Sequence, residues 1–123
     1  MKRTLLRSKI HRAVVTEADV DYEGSITIDS DLIRAAGLVE YELVHIADID
    51  NGARLETYVM TGKAGSGIIC MNGAAARLVN IGDRIIIMAY GQVEDPPPPD
   101  WRPQIVLVDG KNRIREVRDA PVH

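Results

Sequence analysis

Four short segments carry the side chains with chemistry to offer. In chain order they are Lys9-Ile10-His11-Arg12, Tyr22-Glu23-Gly24-Ser25, Asn51-Gly52-Ala53-Arg54-Leu55-Glu56-Thr57-Tyr58 and Asn72-Gly73-Ala74-Ala75-Ala76. Ser25 offers a hydroxyl directly after a glycine. Lys9 and Arg54 are cations that suit a carboxylate, the arginine as a bidentate fork. His11, Tyr22 and Tyr58 can move protons. Thr57 and Asn72 can donate hydrogen bonds to developing negative charge. Alone, a Gly-Ser pair at the start of a strand is a turn; its surroundings make it more.

Other chemistries lack their signatures. Gly62-Lys63-Ala64-Gly65-Ser66-Gly67 is glycine-rich without phosphate-loop spacing, and reads as a turn. His11, His45 and His123 lack metal-ligand spacing, so no metal is expected. No nucleophile-elbow pattern exists. The single cysteine, Cys70, excludes an internal disulfide and fits a reducing compartment, the cytoplasm. It lies in the apolar run Ile68-Ile69-Cys70-Met71 and reads as a buried thiol. A net charge of −3 argues against a nucleic-acid partner. No run approaches the ~18 apolar residues that span a bilayer, and the basic start Met1–Arg7 lacks a signal-peptide core.

The four segments, in that order, resemble the pyruvoyl-dependent aspartate 1-decarboxylase family. The similarity runs from Met1 to about Arg115 and takes in Trp101-Arg102-Pro103 and Asp109-Gly110-Lys111-Asn112. The resemblance implies a double-psi β-barrel assembled as a homotetramer, with active sites at subunit interfaces. It implies a precursor that cuts itself between Gly24 and Ser25 into chains 1–24 and 25–123. It also implies a covalent pyruvoyl group made from Ser25, with no metal and no pyridoxal phosphate. The substrate would be L-aspartate and the products β-alanine, a precursor of pantothenate and coenzyme A, and carbon dioxide. Some members of the family need an activating maturation protein, and the sequence leaves that open here.

Each residue type suits such a reaction. The Ser25 hydroxyl attacks the Gly24 carbonyl, and glycine grants close approach and strained backbone angles. Thr57 is the first candidate to donate to the developing oxyanion, and Asn72 the second. Tyr22 and His11 are supports for the loop or for proton movement. In turnover, an imine with the substrate amine serves as electron sink. The family match gives Tyr58 the role of proton donor. Arg54 is assigned the carboxylate that survives, because holding the leaving one would stabilise the ground state. Lys9 adds a second positive charge. Backbone N–H groups of Gly73, Ala74 and Ala75 form an anion site at a helix start.

These residues need a framework, and the 123-residue chain is one domain. Phe is absent, so the core must use Ile, Val, Leu, Ala and Met. So short a chain buries only about two-thirds of its unfolded surface, which favours an oligomer. Six strands are predicted, at 25–29, 42–49, 53–60, 84–90, 104–109 and 113–117. The fourth should be buried on both faces. Asn51-Gly52 predicts a tight hairpin turn. Short helices are predicted over 30–37 and over 73–79, the latter capped by Asn72. Asp95–Asp100, with four prolines, reads as a stiff exposed connection. Together these elements indicate a small closed six-stranded barrel with two or three short helices.

Thr57 and Tyr58 are adjacent, so on a regular strand they face opposite sides. Both serve one site only if the strand twists or a neighbouring subunit takes part. Three alternatives stay open: a non-enzymatic barrel, cleavage at Gly65-Ser66, and a decarboxylase for another amino acid.

Overall fold

The computed structural model describes residues 1–119, so His123 and the end of the predicted fragment 25–123 lie outside the described residues. The strands are β1 (Lys2–Val14), β2 (Glu17–Asp19), β3 (Ser25–Asp29), β4 (Leu43–Asp48), β5 (Arg54–Gly62), β6 (Ile69–Asn72), β7 (Arg84–Glu94), β8 (Gln104–Val108) and β9 (Ile114–Arg118). They pair in the linear order β2-β6-β3-β5-β4-β7-β1-β8-β9. Among the described residues no ladder joins β2 to β9. The sheet is therefore open in its hydrogen bonding and has nine strands, where a closed six-stranded barrel was expected.

The six predicted runs correspond to β3, β4, β5, β7, β8 and β9; the additions are β1, β2 and β6. β1 shifts register between Leu6 and Ser8 and again between His11 and Ala13. Each bulge resets the two-residue alternation, so the long strand shows no continuous period. Arg12, at the second bulge, takes φ 67. β2 and β6 span three and four residues, too few to show alternation.

One apolar cluster unites the elements: Ile10 of β1, Ile26 of β3, Ile46 of β4, Val59 of β5, Ile87 of β7 and Val106 of β8. The sheet thus wraps a single core. Each such side chain contributes roughly 1.5–3 kcal/mol on burial. β7 sends Ile85, Ile87 and Ala89 inward, while Ile86, Met88 and Tyr90 stay half-buried on the other side. The expectation that both of its faces are buried is not met.

The single α-helix among the described residues, α1 (Ser30–Ala36), packs Leu32, Ile33 and Ala36 inward and touches β1, β3, β5 and β8. The Asp29 side chain accepts from Asp31 N–H at its start, and Gly37 at φ 69 ends it. The second expected helix is instead a 3₁₀ turn, Gly73–Arg77, and the Asn72 side chain does not cap it. Of the Asn51-Gly52 pair only Gly52 is left-handed, at φ 78, so the β4–β5 connection is longer than a two-residue turn.

Asn112, in the β8–β9 turn at φ 61, is buried. Its Oδ1 accepts Val14 N–H at 2.7 Å, and its Nδ2 donates to the carbonyls of Val14 and Gly67, both at 2.8 Å. That one side chain ties the end of β1 to the β5–β6 loop. No helix among the described residues is long and apolar enough to cross a membrane.

Candidate active site

β3 begins at Ser25, which pairs across the β3–β6 ladder with Asn72. Gly24 before it is exposed, whereas Ser25 is only 3% exposed. The scissile junction therefore sits where an open loop enters a buried strand. Ile26 and Met71 point into the core, so by alternation Ser25, Thr27, Cys70 and Asn72 share the opposite face. There Asn72 Nδ2 donates to Ser25 Oγ at 2.9 Å and to Thr27 Oγ1 at 3.1 Å. The Cys70 thiol donates to Asn72 Oδ1 at 3.2 Å. The Ser25 hydroxyl has only a long contact, 3.5 Å, to the carbonyl of Glu23. Its oxygen is thus fixed while its proton is held weakly, a suitable ground state for a nucleophile that must lose that proton.

Gly73, not Gly24, is the glycine that local space demands. Gly73 has φ +69, and a Cβ there would lie 2.7 Å from Gly24 Cα, 2.8 Å from Gly24 N and 3.2 Å from the Tyr22 carbonyl oxygen. Backbone cannot yield as a flexible side chain can. At Gly24 a Cβ would meet nothing within 4 Å, and its φ is not positive. In the continuous chain Gly24 therefore does not use the strained angles that its residue type allows.

The other predicted residues divide into two groups. The register Ile26↔Val59 of the parallel β3–β5 pair places Ser25, one step earlier, opposite Tyr58. Alternation then puts Tyr58 and Arg54 on the face that carries Ser25. Tyr58 is half-buried, its ring 6.1 Å from that of Tyr41. Ala74 is exposed and Ala75 half-buried, on the turn beside Ser25. Tyr22 is 55% exposed in the loop before the junction.

Arg54, Lys9 and His11 lie farther off. Arg54 is four residues from Tyr58, about 13 Å along the strand, in a shallow groove with His45, Glu56 and Met88. Lys9 and His11 are on β1, four ladders from β3, roughly 19 Å measured along the sheet. Thr57 shares the core side of β5 with Val59, opposite Val44. Among the described residues no hydrogen bond joins it to Gly24 or Ser25. Burial, then the charges of Lys9 and Arg12, push the His11 imidazole below its ordinary range, so it is neutral at pH 7. Its buried Nδ1 has no hydrogen-bond partner.

Cys70 and Thr27 escaped the sequence reading as site residues. The available signal was spacing: each stands two residues from a named site residue, on the same strand face.

This arrangement can be compared with known proteins. The family described as aspartate decarboxylase matches residues 1–115. The chain is 62% identical over 114 residues to an aspartate 1-decarboxylase of Corynebacterium efficiens, covering 93% of this chain and 84% of that one. It is 56% identical over 117 residues to an aspartate 1-decarboxylase of Neisseria meningitidis serogroup C, covering 95% and 92%. Among solved structures it is similar to the computationally designed msDPBB_sym2 protein, with TM-score 0.42 and 20% identity over 69% of this chain and 96% of that one. The match takes in the Gly24-Ser25 junction, its Asn72 partner and the strand that carries Arg54 and Tyr58, and with it the chain belongs to the aspartate decarboxylase family.

Proposed function

We propose that this protein is a pyruvoyl-dependent aspartate 1-decarboxylase, made as a precursor that cuts itself between Gly24 and Ser25. The observation that carries the reading is the Asn72-held Ser25 oxygen at the mouth of a buried strand, in a chain of this family.

The proposed cleavage follows from the residues in place. Ser25 Oγ attacks the Gly24 carbonyl carbon, the peptide C–N bond breaks, and an ester replaces the amide. Removal of the Ser25 α-proton expels the Gly24 carboxylate and leaves dehydroalanine, which water converts to a pyruvoyl end with release of ammonia. Asn72 holds the attacking oxygen. Gly73 leaves room for the loop. Thr57 is the least supported member of the set, since it lies on the core side of β5.

The pyruvoyl group fits the corner: the small residues Gly73 to Ala75 directly follow Asn72, which pairs with the position from which it would form. When present, that group supplies a ketone that condenses with the substrate amine and accepts the electron pair left by carbon dioxide. Tyr58, opposite Ser25, returns a proton to Cα. Arg54 pairs with the surviving carboxylate, and Lys9 adds positive charge. Gly73, Ala74 and Ala75 offer N–H groups to substrate. L-Aspartate is the substrate, and β-alanine leaves toward pantothenate. His11 and Tyr22 support the loop.

The spread of Arg54, Lys9 and His11 over one sheet face favours sites completed between subunits of a homotetramer. The half-buried face of β7 favours the same reading, as apolar surface that another copy would cover. The wrapped core and the parallel pairs β1–β8 and β3–β5 support a double-psi barrel. A single thiol suits the cytoplasm. Cleavage proceeds alone or with a maturation protein.

Intact mass spectrometry tests the proposal. Wild type should give fragments 1–24 and 25–123, the larger lighter than a serine-ended chain by the elements of ammonia. Ser25→Ala should stay whole. A wild-type chain that remains uncut after warm incubation and after exposure to cell extract would sink the reading.

A further inference from the structure

The geometry points to Cys70 as a positioning residue for self-cleavage: its thiol sets which end of the Asn72 side chain faces Ser25. This inference rests on the proposed cut at Gly24-Ser25. It concerns a residue that contacts neither the scissile bond nor substrate.

Asn72 is buried and has two chemically opposite ends. One must donate and the other accept. Its neighbours on the Ser25 side are two hydroxyls, Ser25 Oγ and Thr27 Oγ1. Hydroxyls give and take hydrogen bonds equally well, so they cannot choose between the ends. The third neighbour can. Cys70 Sγ lies 3.2 Å from Asn72 Oδ1, where a protonated thiol, its sulfur a weak acceptor, meets the amide oxygen as a donor. The Sγ contact therefore turns Oδ1 toward Cys70 and Nδ2 toward Ser25.

The orientation decides the state of the nucleophile. With Nδ2 toward Ser25, the serine oxygen accepts and its hydrogen stays available for removal. With Oδ1 there instead, the serine hydrogen would be donated to the amide and tied up. The thiol keeps its proton at neutral pH: burial, then the Glu17 and Asp19 carboxylates, push it above its ordinary value. Both carboxylates lie on β2, paired with Cys70 and Asn72 respectively. The same four-residue face explains why a buried cysteine, a threonine and an asparagine occupy consecutive same-face positions of β3 and β6.

Removing the donor leaves one end of Asn72 against an apolar group in either orientation, Oδ1 as it stands or Nδ2 if the amide turns, so the preference for Nδ2 toward Ser25 is lost. Freshly purified precursor would be followed by intact mass spectrometry, in buffer or, where buffer gives no cleavage, in cell extract. Wild type, Cys70→Ser, Cys70→Ala and Cys70→Val would be compared, each with its melting midpoint. Cys70→Ala and Cys70→Val, which offer no donor, and Cys70→Ser, whose hydroxyl accepts as readily as it donates, should all let Asn72 turn and slow cleavage roughly twofold to threefold, whatever their melting midpoints. A purely structural thiol predicts instead that cleavage rates follow melting midpoints. Wild-type rates in alanine and serine variants that fold as stably as wild type, or rates that track the midpoints, would overturn the inference. If the valine variant does not fold, the alanine and serine variants decide. A wild-type chain that never cuts takes down the reading of the junction itself, and this inference with it.

Discussion

Ser25 and Tyr58 stand opposite each other but have separable tasks. In the proposed reaction the serine must exist for cleavage, whereas the phenol is needed only afterwards, to return a proton. Tyr58→Phe should therefore still cut at Gly24-Ser25, with kcat for aspartate falling roughly 10²–10⁴-fold, the usual worth of a positioned general acid. Mass spectrometry and a β-alanine assay on the same preparation separate the two effects. Failure to cleave would assign Tyr58 to processing instead. At this scale the sequence was informative wherever residue type alone implies chemistry. Ser25, Tyr58, Asn72 and Arg54 could be named because their segments, in that order, resemble the aspartate decarboxylase family, and a hydroxyl, a phenol, a carboxamide and a guanidinium suit the chemistry that resemblance implies. Cys70 could not, because its contribution is a direction imposed on a neighbour, visible only once β6 lies beside β3.

Elements bring their own tests. Asn112 satisfies three backbone groups, two on Val14 and one on Gly67. Asn112→Ala should destabilise the fold by about 3 kcal/mol, since buried backbone groups lose their partners; urea unfolding measures it. A cluster of acids gathers at the β4–β5 turn. Asp48, Asp50 and Asp83 bring carboxylate oxygens within 4.8 Å of one another. Burial, then the Asp83 carboxyl, hold the Asp48 carboxyl above its ordinary range. The folded state then binds that proton more tightly than the unfolded chain does. The resulting stability is complete below the unfolded value, ~3.9, and drains away as pH rises through the raised one. Asp48→Asn keeps an acceptor for the N–H groups of Asp50 and Asn51 and gives Asp83 a donor. It should be more stable than wild type at pH 7 in urea and should lack the wild type's decline as pH rises above about 4; an unchanged pH profile would count against the shared-proton picture. Of the elements, those with clean alternation and turn residues were legible. β1 was not, because its bulges at Arg7 and Arg12 twice reset the period on which such a reading depends.

For the whole molecule the proposed reaction asks that Lys9 and Ser25 reach one substrate from positions four ladders apart. Sites shared between subunits make a specific forecast. Chains carrying Ser25→Ala and chains carrying Lys9→Ala should each be inactive, or nearly so, when expressed alone. Coexpressed, they should recover about a quarter of wild-type activity, because random mixing in a symmetric assembly rebuilds that share of sites from one intact face of each chain. No recovery would mean that each chain completes its own site. The assembly was the least legible level of all, since nothing in one chain's residue order states which faces of two copies meet.

The placement of β1 also constrains when the cut can be made. β1 lies between β7 and β8, β2 pairs with β6, and the end of β1 is fastened by Asn112, so the partners that hold residues 1–24 leave the ribosome well after them. A nascent chain severed at the proposed Gly24-Ser25 junction before β6 and β7 emerged would have nothing to hold its first 24 residues. Cleavage slower than translation is thus a condition for keeping the amino-terminal fragment. A newly made molecule should spend a measurable interval folded and whole before it becomes two chains.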